Sequence, residues 1–461
     1  MTGTSSGWTR RGFVGTLGAV TAAAASSAAQ PLWAGAIAAR NANDKIRLGL
    51  IGAGSRGNQL LDAFFARDDV IWTAVADVDD HHAEETAARI KDRTGLTDVA
   101  TMRDYRAMLD GDTVDAVVIA TPDHWHAQPT IHACQAGKDV YVEKPVAHNV
   151  KEGQAMIAAG QKYNRRIAVG TQQRSSENFQ KAVQAVQSGA LGKVFWVQTW
   201  NFENISPTGM GVDSDTDPPP HVDYDRWLGP APLRPFNRNR FHLLFRWFFD
   251  YAGGMMSDWG VHLNDIVLWA LEKDGPVTVS CHGGILTTED DRDTPDTMQV
   301  VYTFDSGEVL TYSMRKGNGL KFNGKSYGIL FCGTDGSLML DRDGHQIIPD
   351  QTILPYGIKL VKGDRPTRTI TLEASEFKAK DDGLPDHIDN FLACLRDRDT
   401  PLAADIVTIH RSTNTTHLGN IAYKLGRTLH YDPKTETFPG DDQANALLGR
   451  SYRKGWELPE V

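Results

Sequence analysis

Cysteine is scarce: a chain of 461 residues has four, Cys134, Cys281, Cys332 and Cys394, far apart and with no CxxC pair. That spacing excludes a cysteine zinc site, and four cysteines cannot scaffold a chain of this size through disulfides. They read as free, buried small hydrophobes. Positive charge is also short, the formal net charge being −10. This excludes nucleic-acid binding of the basic-patch kind, because neutralising phosphates needs a surplus of Lys and Arg. No apolar run approaches the roughly 20 residues that span a bilayer. No long repeat suggests a solenoid, and 41% hydrophobic residues is the content of a globular chain. At about 100–200 residues per domain the length implies two or three domains.

The first acidic side chain is Asp44. Before it stand Thr9-Arg10-Arg11-Gly12-Phe13-Val14, a mild apolar run from Gly15 to Ala29, and small residues at Ala34-Gly35-Ala36 and Ala36-Ile37-Ala38. A positive start, a weak apolar stretch and a small-residue cleavage site describe a signal peptide over residues 1–40. The paired arginines resemble the twin-arginine signal, so export in the folded state to a periplasmic or extracytoplasmic location is expected. That route suits a protein that must take up a cofactor before leaving the cytoplasm.

From Lys45 the pattern is strand, glycine turn, helix. Ile46–Ile51 suits a buried parallel strand. Gly52-Ala53-Gly54-Ser55-Arg56-Gly57 follows, then a helical stretch from Asn58, and a second strand over 70–78 contains Asp77 near its end. In this setting GxGxxG is a dinucleotide fingerprint. The first glycine permits the tight turn, the second admits the pyrophosphate, and the third lets helix and strand pack closely. The pyrophosphate would lie at the helix N-terminus, where free N–H groups favour an anion. Asp77 would bind the adenosine ribose hydroxyls, favouring NAD; Arg56 beside that ribose leaves NADP open. Further strands lead into Thr121-Pro122-Asp123-His124-Trp125-His126 and into Glu143-Lys144-Pro145. Such β-α alternation predicts a doubly wound domain over 45–170, with ligands at the carboxyl ends of its strands.

These residues, with Asp258-x-x-x-His262, resemble the glucose–fructose oxidoreductase, inositol dehydrogenase and MocA family from about Lys45 to Arg427. The resemblance implies an α/β chain: a Rossmann domain, then a C-terminal α+β domain with an open-faced, mainly antiparallel sheet that supplies substrate and oligomer contacts. It implies a cofactor site of Gly52, Gly54, Arg56, Gly57, Asp77, Thr121, Pro122, His126, Glu143, Lys144 and Gln173, and a cis proline after Lys144. No metal is implied.

The second half agrees with that expectation. Strand-like segments at 193–201, 277–287, 298–304, 309–315, 328–332 and 337–340 are joined by turns such as Asp305-Ser306-Gly307. A Pro-, Gly- and Asp-rich loop runs over 205–221, closing helices cover roughly 382–398 and 404–428, and residues 431–461 read as a tail. This sets the substrate and oligomerisation domain at 171–430.

Before that sheet, Ser257 is a plausible N-cap for a helix running to Glu272. At about 100° per residue, Asp258, His262, Asp265 and Trp269 share one face away from the apolar stripe. An Asp one turn before a His can orient an imidazole whose ordinary pKa of about 6.5 suits proton transfer. In this reading Lys144 polarises the reacting hydroxyl, His262 takes its proton and Asp258 orients His262. The aromatic, arginine-rich segment 240–249 offers either sugar-stacking surface or core, and Arg174 and Arg246 are the substrate candidates. His387 and Asn390 read as structural.

Two chemistries fit. The first is an NAD(P)-dependent oxidoreductase acting on a hydroxyl of a sugar, polyol or glycoside, with tightly bound, internally recycled cofactor. The alternative is a redox-neutral, NAD-dependent glycosidase like the related glycoside hydrolase family 109. There, transient oxidation of a ring hydroxyl acidifies the neighbouring C–H, and the aglycone is eliminated. A homo-oligomer formed through the C-terminal sheet is expected in either case.

Overall fold

A computed structural model describes residues 45–351 and 369–461; the signal-peptide reading of residues 1–40 falls outside them. The six strands of the first sheet are β1 (Ile46–Ile51), β2 (Val70–Ala76), β3 (Ala100–Met102), β4 (Ala116–Ile119), β5 (Asp139–Val142) and β6 (Ile167–Val169). They lie in the order β3-β2-β1-β4-β5-β6 and every pairing is parallel. β4 and β5 are buried along their whole length, because helices cover both faces of a parallel sheet. Those helices are α1 (Ser55–Phe64), α2 (Asp80–Thr94), the single turn α3 (Arg106–Leu109), α4 (Ala127–Gln135) and α5 (Val150–Lys162). The strand order reverses between β1 and β4, so the glycine turn after β1 and the Thr121-Pro122 turn after β4 face one crevice.

The chain continues through α6 (Glu177–Gln187), β7 (Val194–Phe202), the short α7 (Tyr224–Leu228), α8 (Gly254–Asp258) and α9 (Gly260–Leu271). A second sheet follows: β8 (Thr278–Gly284), β9 (Thr297–Thr303), β10 (Val309–Arg315), β11 (Tyr327–Gly333), β12 (Gly336–Asp341), β13 (Gly344–Pro349), β14 (Ser375–Lys378) and, after two helices, β15 (Leu429–His430). Its order is β14-β13-β12-β11-β7-β10-β9-β8-β15. All pairings are antiparallel except β7 with β10. Period-two alternation in β9 and β10 buries Met298, Val300, Tyr302, Leu310, Tyr312 and Met314 against α6, α9 and α11 (Ile406–Leu425). The other face, with Val301, Thr311 and Ser313, stays half-exposed.

Two features depart from the sequence reading. The helix α10 (Leu384–Arg396) returns to the first sheet: Ile388, Phe391 and Leu392 join its core, with Phe391 edge-on to Phe64 and Tyr141. Residues 431–461 are no loose tail. Tyr431, Phe438 and Leu448 are buried, α12 (Asp442–Ala446) forms, and Gln128 Nε2 donates to the Trp456 carbonyl at 2.6 Å. Their sparse, aperiodic apolar residues carry no periodic signal, and local bonds such as Asn445 Nδ2 to the Phe438 carbonyl act together with distant partners such as Gln128. All four cysteines are free, and three are buried. Among the described residues no helix is long and apolar enough to cross a membrane.

Candidate active site

A cleft of about 540 Å3 runs from the glycine turn, past Asp77 on one side, to Lys144, Arg246 and Asp258 on the other. Each end is built by local chemistry. Gly52 sits at φ +92°, a conformation that disfavours a side chain, and a Cβ there would meet the Thr121 nitrogen at 2.7 Å. A Cβ on Gly57 would lie 2.0 Å from the Gly52 carbonyl oxygen, so only glycine lets α1 pack this close. A Cβ on Gly54 would meet nothing within 4 Å. Gly54 is also the N-cap of α1 and provides no side chain to bond its first N–H groups. Open space over free N–H donors at a helix N-terminus fits a pyrophosphate. Asp77 is aimed by its neighbours: one carboxylate oxygen accepts from Ala53 N at 2.7 Å, the other from Asp79 N at 2.9 Å. The residues present therefore fit a dinucleotide.

Arg56 is committed elsewhere. Its Nε donates to Glu143 Oε1 at 2.8 Å, and Glu143 Oε2 accepts from Lys144 N at 3.2 Å. The guanidinium is thus tied to the Glu-Lys-Pro turn, not held over the ribose site. His126 lines the cleft wall, with its ring nitrogens 2.7 Å from the Pro145 carbonyl oxygen and 3.0 Å from that of Thr121. The ring sits between the Thr-Pro and Glu-Lys-Pro turns, and because burial lowers its pKa its one N–H donates to one of these carbonyls at a time. The Lys144–Pro145 peptide is cis, as the resemblance implies.

Lys144 Nζ donates to Asp258 Oδ1 at 2.7 Å and to the Asp258 carbonyl at 3.0 Å. Arg246 Nε stands 3.7 Å from Asp258 Oδ2. Burial alone would raise the Asp258 pKa, but the Arg246 and Lys144 cations outweigh it and hold this carboxyl well below the usual range. Asp258 therefore serves Lys144, and the expected orientation of His262 by Asp258 is not made. Gly254, at φ +62°, starts α8 three residues before the expected Ser257 cap, and Trp259, still in a helical conformation, joins α8 to α9. Ser257 Oγ instead accepts from Gly253 N at 3.0 Å. His262 is buried, its Nδ1 has no partner, and it is not among the residues walling the cleft. Burial first, then the Arg342 and Lys144 cations, push its pKa well down, so the ring is neutral.

Arg174 is not brought to the site. Its guanidinium makes a buried bidentate pair with Asp265, 2.8 Å on both arms, and Ser412 Oγ donates to the same carboxylate at 2.6 Å. The face assumed to present Asp265 is instead packed inside. Gln173 is buried outside the cleft lining. His387 bridges Ser175 and the Val169 carbonyl, and Asn390 donates to the Pro401 carbonyl. In the 240–249 segment, Phe248 is core, while Leu243, Phe245 and Arg246 wall the cleft.

Asp123 is the site residue that the sequence reading passed over. It is buried in the cleft wall, and burial pushes its pKa up to about 7, Lys144 opposing the rise. The available signal was its place directly after Thr121-Pro122 at a strand's carboxyl end.

A model described as oxidoreductase family, NAD-binding Rossmann fold, matches residues 46–171. Its companion, the oxidoreductase family C-terminal alpha/beta domain, matches 176–333 and 361–458. The fold and cleft define a two-domain, NAD-binding Rossmann protein. The chain belongs to the Gfo/Idh/MocA oxidoreductase family. Among similar proteins, myo-inositol 2-dehydrogenase of Thermotoga maritima is 25% identical over 57% of this chain and 66% of its own length. Levoglucosan dehydrogenase of Pseudarthrobacter phenanthrenivorans is 30% identical over 35% of this chain and 43% of its own. A glycosyl hydrolase family 109 protein of Saccharopolyspora erythraea is 31% identical over 34% of each. The chain thus spans from one third to just under two thirds of these relatives. The structure of WlbA dehydrogenase from Bordetella pertussis, in complex with NADH and UDP-GlcNAcA, is similar at TM-score 0.58 and 20% identity, covering 84% of this chain and 99% of that one. Aldose–aldose oxidoreductase from Caulobacter crescentus, complexed with glycerol, is similar at 0.59 and 18%, with the same coverage. Identities this low speak for the fold.

Proposed function

We propose that the protein is an NAD-dependent oxidoreductase acting on a hydroxyl of a sugar, polyol or glycoside, with a tightly held and internally recycled cofactor. The observation that carries this reading is a cation, Lys144, anchored on Asp258 at the far end of the cleft that begins at the glycine turn and Asp77. Bound NAD supplies the hydride acceptor. Lys144 has three N–H donors, two of them held by Asp258, which leaves one for a reacting hydroxyl oxygen. Its positive charge favours the alkoxide that develops there. Asp258, whose other carboxylate oxygen stands 3.7 Å from Arg246 Nε, keeps that ammonium in place. His262, held neutral by burial, is the proposed proton acceptor; its Nδ1 is buried, so the proton would have to reach its other ring nitrogen from behind the cleft wall. Dehydrogenases of inositol and levoglucosan among the relatives support a polyhydroxylated substrate.

The glycosidase reading is kept for one observation: family 109 proteins of Shewanella reach 34–35% identity over 24% of this chain. Turnover of a glycoside in deuterium oxide separates the two. Elimination requires the C–H beside the oxidised carbon to leave, so a glycosidase labels the released sugar there without net NADH. An oxidoreductase leaves that C–H intact and reduces a second carbonyl compound in step.

Export by the twin-arginine route is part of the proposal, supported by Arg10-Arg11. Replacing both with lysine should retain the protein in the cytoplasm. A homo-oligomer through the half-exposed face of the second sheet is proposed as well, supported by Val301 and Leu330 on that face. Light scattering of the purified protein tests it; a strictly monomeric mass would reject it.

A further inference from the structure

At the adenosine end of the cleft lies a cluster of histidines, with His82 and His242 in the cleft wall, to which the proposed reaction gives no part. Residues 205–250 cross from the second domain and are fastened to the first at β2–α2. Asp223 N donates to the Val78 carbonyl at 2.8 Å, and Asp80 N donates to the His221 carbonyl at 3.0 Å. Along that seam, Asp79 faces imidazoles from both sides. His242 Nε2 lies 2.9 Å from Asp79 Oδ2, and the His82 and His242 rings sit 4.4 Å apart. One ligand atom from each of Asp79, His82 and His242 falls within 4.8 Å of the others. Asp79 is buried, and both histidines are half-buried.

We propose that Asp79, His82 and His242 bind a divalent transition-metal ion of the zinc class, which staples the 205–250 segment to the Rossmann domain at the mouth of the cleft. Imidazole nitrogen with one carboxylate is the ligand set zinc takes at bonds of roughly 2.0–2.2 Å. Ligand atoms around such an ion stand roughly 3.3 Å apart, so the cluster closes on it with small rotamer shifts. Three protein ligands leave a fourth position to water. Behind the cluster, Asp77 Oδ2 lies 3.8 Å from His82 Nδ1, close enough to attract that ring electrostatically. Because His242 opens the turn that carries Leu243, Phe245 and Arg246 to the cleft, the ion fixes the cleft's roof and takes no part in proton transfer.

A second triad, Asp79, His81 and His221, shares the carboxylate but is more exposed. It provides the control. The full chain, purified without a histidine tag and stripped with chelator, is titrated with Zn2+ by calorimetry and with Co2+ by absorption, with no nucleotide or substrate present. One equivalent should bind, with a tetrahedral Co2+ spectrum. His82→Gln and His242→Gln should each weaken binding by at least about 30-fold, while His81→Gln and His221→Gln bind as the parent does. Zn2+ should raise the melting temperature of the parent and not that of His242→Gln. Absence of saturable binding at micromolar metal, unchanged affinity in either inner variant, or loss confined to the outer variants would overturn the site.

Discussion

Lys144 and Asp258 come from different domains and meet through two oxygens of one residue: Nζ is 2.7 Å from the Asp258 carboxylate and 3.0 Å from its carbonyl. A carbonyl contact fixes the main chain as well as the side chain, so the domains are registered at the point where chemistry is proposed. Lys144→Met should therefore lose at least about 100-fold in turnover, the scale of a positioned proton-transfer group. Nucleotide affinity should stay within a few-fold of the parent. Steady-state kinetics with nucleotide titration checks both, and near-parent turnover would remove Lys144 from the mechanism. His262→Gln in the same assay decides whether the neutral imidazole takes the proton.

The glycine turn separates packing from binding. Gly57→Ala drives a Cβ into the Gly52 carbonyl and should destabilise the fold by about 1–3 kcal/mol. Gly54→Val adds its bulk to open space and should melt close to the parent temperature, yet lose nucleotide affinity by at least about tenfold, or about 1.4 kcal/mol. Thermal melts alongside calorimetry read the two outcomes. A Gly54→Val protein that binds NAD normally would place the pyrophosphate elsewhere.

Arg174 and Arg246 should part in their effects. Arg174→Ala leaves Asp265 buried without its cation and should cost about 3–5 kcal/mol in urea unfolding. Adding Asp265→Ala should recover part of that loss. Arg246→Ala should instead raise the KM for substrate or lower turnover, with little change in melting temperature, because Arg246 walls the cleft.

Two site carboxyls should bend stability with pH in opposite directions. Asp123, raised to about 7 by burial against Lys144's opposing charge, binds its proton more tightly in the folded state. Its contribution is complete below the unfolded carboxylate pKa of about 4 and fades as pH rises to about 7. Asp258, held low because its cation partners outweigh burial, contributes above about pH 4 and loses that contribution on acidification. Asp123→Asn should flatten the decline between about pH 4 and 7 and make the protein more stable than the parent at pH 8. Denaturant melts across that range measure it, and an unchanged profile would exclude a buried, proton-holding Asp123.

What was legible in the sequence was whatever is encoded locally. A strand, GxGxxG and a helix specify a dinucleotide turn because each glycine answers a clash within a few residues, and Gly52 and Gly57 show those clashes in the structure. The antiparallel strands were legible because period-two burial is written directly into β9 and β10. Lys144, Asp258 and Arg246 were named on residue type and place along the chain. Their arrangement was decided only in three dimensions. Helical periodicity assigned Asp258 to His262, but tertiary packing set its carboxylate against Lys144, 114 positions earlier. Arg174 found a buried carboxylate, and Asp123 acquired its environment from Lys144 and Asp258. The histidine seam joins residues from 79–82 with residues from 221–242. A charge's partner and its desolvation depend on which distant elements pack around it, and no local pattern in the chain specifies that.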